Sequence, residues 1–232
     1  MLNNLSGSIL FKPQHKIKII WSSNFAYAIG LITSDGYLSK NKRHIELKSA
    51  DKENIINFKK ALRLRNRIGK ITKTKSGNPH YYLFCGDVIF YKFLNKIGLE
   101  SRKSKTIKQI LVPKEFFNDF LRGLFDGDGT FYTFRDKRWP NAVGYQISFA
   151  SASREFLEWL QHQLSKLYKT RGFIKIGKGV FNLCFVKRDT RTLFSAMYKK
   201  QNILFLRRKY DKIIQAFKHD THARVKAELA HW

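Results

Sequence analysis

The stretch AYAIGLITSDG (residues 26–36) joins an apolar run to an aspartate and a glycine, and FLRGLFDGDG (residues 120–129) repeats that arrangement. When Asp35 is aligned with Asp128, the sequences that follow run in parallel. Each copy continues with a hairpin, a helix, a second pair of strands and a further helix. The chain therefore consists of two repeats with the element order αββαββα.

This repetition sets the expected fold class and domain boundaries. We expect an α+β protein with an antiparallel sheet in each repeat. The N-terminal repeat covers residues 1–101, with its motif helix at 24–36. A linker follows at 102–114, and the C-terminal repeat covers 115–232, with its motif helix at 115–129.

Small residues recur at a spacing of four in both motif helices. They are Gly30 and Ser34 in the first and Gly123 and Gly127 in the second. Residues four apart share one helix face, and a face of small residues lets two backbones approach closely. We therefore expect the two motif helices to pack side by side, with Gly30 and Gly123 at their interface. The glycine after each aspartate suits a left-handed turn at the helix end.

Packing of the two helices would bring Asp35 and Asp128 together at their C-terminal ends. A carboxylate is unfavourable there, because the free carbonyls of a helix C-terminus already carry partial negative charge. Two carboxylates and free carbonyls form a hard oxygen site that suits magnesium. The alternative is that Asp-Gly is only a common helix-ending turn. Its recurrence in two glycine-spaced apolar helices favours a site.

Composition points to a polyanionic partner. The chain has 45 lysines and arginines against 17 acidic residues, a formal net charge of +28, and it is 43% hydrophobic. Nucleic acid fits this balance better than a membrane surface, because the chain also has a core and abundant aromatic residues. No apolar run approaches the roughly 20 residues that span a bilayer, and the first residues do not resemble a signal peptide. We expect an intracellular protein, cytoplasmic or organellar, with Cys85 and Cys184 as core residues.

The strands carry the candidate binding residues. In RHIELKS (residues 43–49), polar side chains alternate with Ile45 and Leu47, so one face is free to bind while the other is buried. Such polar groups can read base edges in the major groove, contact phosphates or remain solvated. Trp139 either belongs to this surface or packs locally. The candidates are Lys40, Arg43, His44, Glu46, Lys48, Lys70, Thr72, Asn78, His80, Tyr82, Arg135, Lys137, Arg138, Gln146, Ser148, Arg171, Lys175 and Asn182.

With AIGLITSDG and LRGLFDGDG as its two motifs, the sequence resembles the single-chain LAGLIDADG homing endonucleases from about residue 22 to about residue 217. The resemblance implies a pseudo-twofold protein with two central packed motif helices and saddle-shaped sheets that lie in the major groove of DNA. It further implies Mg²⁺-dependent cleavage of both strands. Because acids so close together can only straddle a narrow gap, cleavage is expected across the minor groove, leaving short 3′ overhangs.

The resemblance also assigns residues. The eighth motif letter, Asp35 and Asp128, is the metal-binding acid, and the seventh, Ser34 and Gly127, offers its carbonyl. Lys187 falls where the family places a lysine near the scissile phosphate. There are departures: Ala28 stands where leucine is usual, and Thr33 replaces the sixth-letter aspartate that Asp126 retains.

The expected partner is a double-stranded DNA target. We expect a free-standing, intron-encoded monomer with no obligate protein partner, in which Ca²⁺ supports binding without cleavage. Two alternatives remain open at this stage: a maturase that binds intron RNA, and a DNA-binding protein that does not cleave.

Overall fold

The computed structural model describes residues 16–73, 77–135, 137 and 143–229. Two repeats with the same element order are present, which confirms the predicted fold class. The first comprises α1 (Ser23–Asp35), β1 (Gly36–Leu38), β2 (His44–Ser49), α2 (Lys52–Ala61), β3 (Gly69–Ile71), β4 (His80–Gly86) and α3 (Val88–Lys96). The second comprises α4 (Phe117–Asp128), β5 (Gly129–Arg135), β6 (Val143–Ser151), α5 (Arg154–Tyr168), β7 (Phe173–Ile176), β8 (Phe181–Val186) and α6 (Lys187–Tyr198).

Two features extend this plan. A single 3₁₀ turn, Lys114–Phe116, precedes α4, so the second motif helix begins later than the sequence suggested. A long helix, α7 (Arg207–Leu229), follows the second repeat and has no counterpart in the expected element order. Within the described part of the chain, every helix is too short or too polar to cross a bilayer.

Each repeat contains a four-stranded antiparallel sheet. The strand orders are β1-β2-β4-β3 and β5-β6-β8-β7, which are equivalent under the repeat. Alternate side chains point to opposite faces, and one face of each sheet is buried against the helices. The buried face carries Ile45, Leu47 and Leu83 in the first sheet and Ile147, Phe149, Leu183 and Phe185 in the second.

The two motif helices, α1 and α4, pack against each other through their backbones. A Cβ atom added at Gly30 would lie 2.6 Å from the backbone N of Leu124 and closer still to the carbonyl oxygen of Phe120. A Cβ atom at Gly123 would meet the carbonyl group of Tyr27. Any side chain at either position would separate the helices, so the glycines account for the close pairing predicted from their spacing.

The glycines that follow the two acids do not adopt the expected left-handed conformation. Gly36 has φ −74° and Gly129 has φ −73°, both in extended backbone. The chain leaves each helix directly into a strand, so no reversing turn is needed. Glycine is required for space instead, because a Cβ atom would lie 2.6 Å from the carbonyl oxygen of Ile32 or 2.5 Å from that of Phe125.

A buried ion pair ties α4 to α6 and to the chain that follows it. Arg122 and Asp119 are both almost fully buried, and their side chains meet at 2.8 Å. The same guanidinium donates to the carbonyl oxygens of Leu204 at 2.8 Å and Met197 at 2.9 Å. Its charge is therefore compensated by hydrogen bonds on several sides, as a buried arginine requires.

Candidate functional site

The two motif acids lie at one end of the packed helix pair. A Cβ atom at Gly127 would stand 3.1 Å from Oδ2 of Asp35 and 2.6 Å from Cβ of Ser34. The acid of the first repeat therefore lies against the motif of the second. Asp35 is half-buried, whereas Asp128 is exposed to solvent.

The charge of Asp128 disfavours ionisation of Asp35. Burial and then the charge of Asp128 raise the pKa of Asp35 to about 7. Partial burial, which removes water from the carboxylate, raises the pKa of Asp128. The positive charges of Lys103 and Lys209 oppose both shifts and favour the ionised acids. Two like charges held this close define a position where a cation is stabilised.

Two buried lysines that the sequence analysis missed cover the helix ends. Lys103 is 7% exposed, and its Nζ donates to the carbonyl oxygen of Ser34 at 3.3 Å. Lys209 is 8% exposed. Its Nζ lies within hydrogen-bond distance of four carbonyl oxygens at the end of α4: Phe125 at 2.7 Å, Asp126 at 2.9 Å, Gly127 at 3.0 Å and Gly129 at 2.6 Å.

Burial lowers the pKa of each of these lysines to about 8, and the nearby acids counteract that shift. Lys103 lies in SRKSK and Lys209 in RRKYD, both runs of basic residues. No local pattern distinguishes one lysine in such a run from its neighbours. Only the tertiary structure selects these two.

Lys187, the lysine assigned by resemblance, is engaged elsewhere. Its Nζ lies 3.5 Å from Oδ1 of Asp220 in α7 and 5.9 Å from the centre of the Tyr145 ring. The charges that act on Asp35 and Asp128 come from Lys103 and Lys209. The contacts of Lys187 therefore give its predicted catalytic role no support.

The sixth-letter acid, Asp126, joins the two repeats. It is buried and accepts hydrogen bonds from the Tyr27 hydroxyl at 2.6 Å and the Leu206 backbone N–H at 2.7 Å. Asn54 of α2 donates to its carbonyl oxygen at 3.0 Å. Burial raises the pKa of Asp126 to about 6. At the corresponding position of the first motif, the Thr33 hydroxyl donates to the Ile29 carbonyl oxygen.

The donor set at the helix ends fits magnesium. It consists of the Asp35 and Asp128 carboxylates with the carbonyl oxygens of Ser34 and Gly127, all hard oxygen ligands. In the described ranges, no group of three or more histidine, cysteine or acidic side chains is placed to hold a metal. Few protein ligands suit Mg²⁺, which retains water and phosphate oxygens in its shell. Each carbonyl bonded to a lysine still has a second lone pair.

A small cavity of about 70 Å³ lies beside this centre. It is lined by Lys103, Asp128, Ser34, Ser151 and Ala152, among others. Ser151, the last residue of β6, and Ala152 after it thus lie next to one acid and one lysine. The cavity gives the solvent a route to the carboxylate.

The first sheet presents a polar and aromatic face opposite its core. His44, Glu46 and Lys48 lie on it, with Tyr82 and Phe84 from the neighbouring strand. The His44 ring stacks on Phe84 with centroids 4.7 Å apart. Lys40 and Arg43 are exposed in the turn between β1 and β2, and the exposed Tyr37 of β1 pairs with Glu46.

The remaining first-sheet candidates divide between the two faces. His80 lies on the same face as Tyr82, two residues along β4. Lys70 pairs with Tyr81, the neighbour of Tyr82 in β4. Successive side chains of a strand point to opposite faces, so Lys70 lies on the face opposite Tyr82. Thr72 and Asn78 lie in the connection from β3 to β4.

Two arginines at the outer edge of this sheet were not predicted. Arg65 and Arg67 are exposed in the segment before β3. Asn66, between them, donates to the Phe84 carbonyl oxygen at 2.9 Å, so this segment runs beside β4. Their position adds positive charge where the polar face ends.

The second sheet differs from the expectation. Gln146 and Ser148 lie on the face opposite the core, yet they are only 3% and 6% exposed. Tyr132 lies opposite Gln146 and hydrogen-bonds to its side chain, and larger groups cover the central strand. Exposed apolar side chains dominate this face: Tyr132, Phe134, Phe173 and Val186.

The other second-sheet candidates lie at the edges. Lys175 and Asn182 face each other across β7 and β8. Arg171 is exposed just before β7, and its backbone N–H is bonded to Asp189. Arg135 and Lys137 are exposed at the end of β5. Arg138 and Trp139 lie outside the described residues.

These features define a class: a pseudo-twofold α+β protein in which two packed motif helices end in paired acids. The sequence profile of the LAGLIDADG-like domain matches residues 22–98 and 115–195. The chain therefore belongs to the LAGLIDADG family, as its two motifs indicated.

Two curated proteins of Methanocaldococcus jannaschii are similar in sequence. The probable translation initiation factor IF-2 is 30% identical over 217 residues, covering 83% of this chain. The replication factor C small subunit is 28% identical over 226 residues, covering 88% of this chain. The chain spans only 17% and 12% of those two proteins.

Solved structures share the fold. The homing endonuclease I-WcaI, bound to its DNA recognition sequence, has a TM-score of 0.59 at 16% identity, over 82% of this chain and 86% of that one. I-DmoI in complex with DNA and Ca has a TM-score of 0.51 at 17% identity, over 77% and 91%. The N-terminal LAGLIDADG domain of DUF199/WhiA has a TM-score of 0.53 at 15% identity, over 83% and 94%.

Proposed function

We propose that the protein is a site-specific endonuclease that binds a long double-stranded DNA target and hydrolyses one phosphodiester bond in each strand. The observation that carries this proposal is the pair of acids, Asp35 and Asp128, at adjacent ends of two packed helices, each end covered by a buried lysine. A net charge of +28 and the DNA-bound structures of I-WcaI and I-DmoI support a DNA substrate.

The two sheets supply recognition in this proposal. Each presents one face away from its core, and together they would follow the major groove on either side of the acids. Exposed lysines and arginines contact phosphates, while His44, Glu46 and Lys48 offer donors and acceptors to base edges. The aromatic face of the second sheet makes apolar contacts. In the major groove, the thymine methyl group is the apolar group that such a face can contact.

Asp35 and Asp128 would hold Mg²⁺ together with the carbonyl oxygens of Ser34 and Gly127. When bound, the metal would supply a nucleophilic water and stabilise the leaving 3′ oxygen. Ca²⁺ is expected to support binding without cleavage. The calcium-containing I-DmoI complex with DNA is consistent with a divalent ion in this fold.

The chain's own groups shape the electrostatics of this centre. Burial raises the pKa of both acids, and the positive charges of Lys103 and Lys209 oppose that shift and so favour the ionised form that a cation needs. Both ammonium groups are buried, so their charge is weakly screened by water and acts strongly on a phosphate bound at the acids. The charge on the phosphate increases in the transition state, where these groups stabilise it most.

Because both acids occupy one narrow site, the two cuts would fall across the minor groove and leave short 3′ overhangs. Both halves of the twofold are present in one chain, so the active species would be a monomer. Because DNA is an intracellular substrate, we propose an intracellular location, cytoplasmic or organellar.

The decisive experiment changes one acid at a time. In Asp35→Asn and Asp128→Asn, the side-chain size is kept while a charge that the metal needs is lost. We expect cleavage in Mg²⁺ to collapse by at least about 10²-fold while DNA binding in Ca²⁺ survives. Targets are found by selection from a randomised plasmid library with the wild-type protein.

Asp211→Asn is the matched control, because Asp211 is an exposed acid of α7. Asp126→Asn is unsuitable, because Asp126 is a buried acceptor that joins the two repeats. Wild-type cleavage rates in both Asp35→Asn and Asp128→Asn would show that the paired acids do not hold the catalytic metal.

A second function has one observation in its favour. The Lys209 ammonium already neutralises the carbonyl end of α4, as a cation would, and the fold also occurs in DUF199/WhiA. A protein that binds nucleic acid without cleaving it would need only this internal cation. Target-specific binding without cleavage in Mg²⁺ or Mn²⁺ would identify it, and an intron-splicing assay would separate a maturase from both.

A further inference from the structure

The two buried lysines reach the centre on segments that follow the last helix of each repeat. We call residues 99–109 the first strap and residues 199–209 the second strap. Lys103 of the first strap contacts the end of α1, and Lys209 of the second contacts the end of α4. Each lysine therefore contacts the motif helix of the repeat that its strap follows.

The second strap is held by α4 of its own repeat, through Leu204 and Leu206, and it is also anchored on the first repeat. The Arg208 guanidinium, next to Lys209, donates through Nε and Nη2 to the Asp51 carboxylate at 2.6 and 2.5 Å. These hydrogen bonds hold the pKa of Asp51 below its usual value. Asp51 precedes α2, yet its side chain makes no capping bond to that helix. Its carboxylate is therefore engaged by the strap instead of the helix.

Two further contacts join the same elements. The Asn57 side chain of α2 donates to the Phe205 carbonyl oxygen at 2.8 Å. The Arg207 backbone N–H donates to the Glu53 carboxylate at 3.0 Å. The helix α2 thus contacts the second strap on both sides of Leu206.

The first strap is anchored on the second repeat in an equivalent way. Ser153, which precedes α5, donates through its hydroxyl to the Ile107 carbonyl oxygen at 2.5 Å. The backbone N–H of Ile107 donates to the Lys103 carbonyl oxygen at 2.9 Å, which closes a turn around the lysine. Ser153 is buried, so this bond is shielded from water.

We propose that each lysine is positioned by the opposite repeat, Lys209 by Asp51 and Lys103 by Ser153. A lysine has a flexible side chain and no fixed donor plane, so its ammonium is placed only as well as its backbone is held. The two straps cross between the repeats. A substitution in one repeat therefore displaces the ammonium at the motif helix of the other.

The test needs neither metal nor DNA. The folded protein is acetylated with an N-hydroxysuccinimide ester, and the rate at each lysine is measured by mass spectrometry. In the wild type, both lysines react slowly because they are almost fully buried. In Asp51→Asn, we expect the rate at Lys209 to rise about threefold to fivefold, as for loss of a partly exposed ion pair, while the rate at Lys103 stays unchanged.

Ser153 requires two variants, because its hydroxyl also accepts a hydrogen bond from the Phe156 backbone N–H at the start of α5. Ser153→Ala loses both bonds. Ser153→Asp keeps a capping acceptor but cannot donate to Ile107. Both variants should raise the rate at Lys103 and leave Lys209 protected.

Two controls separate positioning from general loosening. Glu158→Gln removes one carboxylate from an exposed pair with Arg154 on α5 and should change neither rate. The double variant Asp51→Arg/Arg208→Asp exchanges the two charges. It should restore the slow acetylation of Lys209 that each single substitution removes. Equal acceleration at both lysines, or no change at Lys209 in Asp51→Asn, would overturn the proposal.

The catalytic consequence rests on the proposed function and has a separate readout. On a verified supercoiled target, Asp51→Asn and the Ser153 variants should slow opposite strands, so that nicked circles accumulate with the nick in opposite strands. Equal slowing of both strands would remove the catalytic consequence. Absence of wild-type cleavage would refute the nuclease proposal, while the acetylation rates would still decide whether the straps position the lysines.

Discussion

Gly30→Ala tests whether backbone contact between the motif helices holds the two repeats together. The added Cβ atom would lie 2.6 Å from the Leu124 backbone N, whereas ordinary contacts begin at 3.4 Å. The helices would therefore have to separate by at least 0.8 Å at this point. A gap of this size forfeits a quarter to a half of the dispersion energy of the separated atoms.

The expected loss follows from opposing terms. Overpacking of this kind costs about 3 kcal/mol, and the better helix propensity of alanine returns about 1 kcal/mol. The net destabilisation of about 2 kcal/mol corresponds to a fall in Tm of roughly 4–8 °C for a chain of this size. Urea unfolding and calorimetry without DNA measure both quantities.

A companion pair of variants identifies the obstacle. At Gly127, an added Cβ atom would meet the Ser34 side chain, 2.6 Å from its Cβ, instead of backbone. In a Ser34→Gly background, Gly127→Ala should therefore destabilise much less than in the wild-type background, because only Oδ2 of Asp35, at 3.1 Å, remains in close contact. A Gly30→Ala protein at least as stable as the wild type would refute the backbone-contact reasoning.

Three further predictions concern charge. Lys103→Met and Lys209→Met should each lower the rate constant of cleavage by about 10²-fold, as for loss of a transition-state donor. If the affinity for DNA in Ca²⁺ falls by the same factor, the lysines contribute to DNA binding and not to the cleavage step. Arg122→Met should lower the free energy of unfolding in urea by about 3 kcal/mol, because Asp119 stays buried and keeps the half-exposed Lys200 as its partner. A loss under about 1 kcal/mol would contradict the structural role of the ion pair. Target affinity in Ca²⁺, measured by fluorescence anisotropy, should fall about 10³-fold or more between 50 and 200 mM salt, and a flat profile would count against phosphate contacts.

Much of the fold follows from local sequence. Glycine spacing gives the helix pairing, because close backbone approach depends only on which face lacks side chains. The alternation of apolar and polar residues predicts the buried face of β2, where Ile45 and Leu47 are fully buried. The expected left-handed glycines were wrong because an Asp-Gly pair looks the same before a reversing turn and before a strand that leaves the helix directly.

Binding residues were harder to place, because exposure depends on neighbouring strands. Gln146 and Ser148 alternate correctly, yet side chains from the flanking strands cover them. Lys70 lies in a three-residue strand, too short for alternation to fix its direction, and its pairing with Tyr81 turns it away from the polar face.

The acids could be found from the sequence, whereas the lysines beside them could not, and the reason is topological. Asp35 and Asp128 occupy the same position in two copies of one motif, so the repeat reveals them. Lys103 and Lys209 lie on straps outside the repeated elements, and each strap is held by hydrogen bonds to the other repeat. Their placement depends on contacts made only after both repeats have folded and paired. The acids of this centre are thus encoded within each repeat, while the positions of its buried cations are determined by the contacts between repeats.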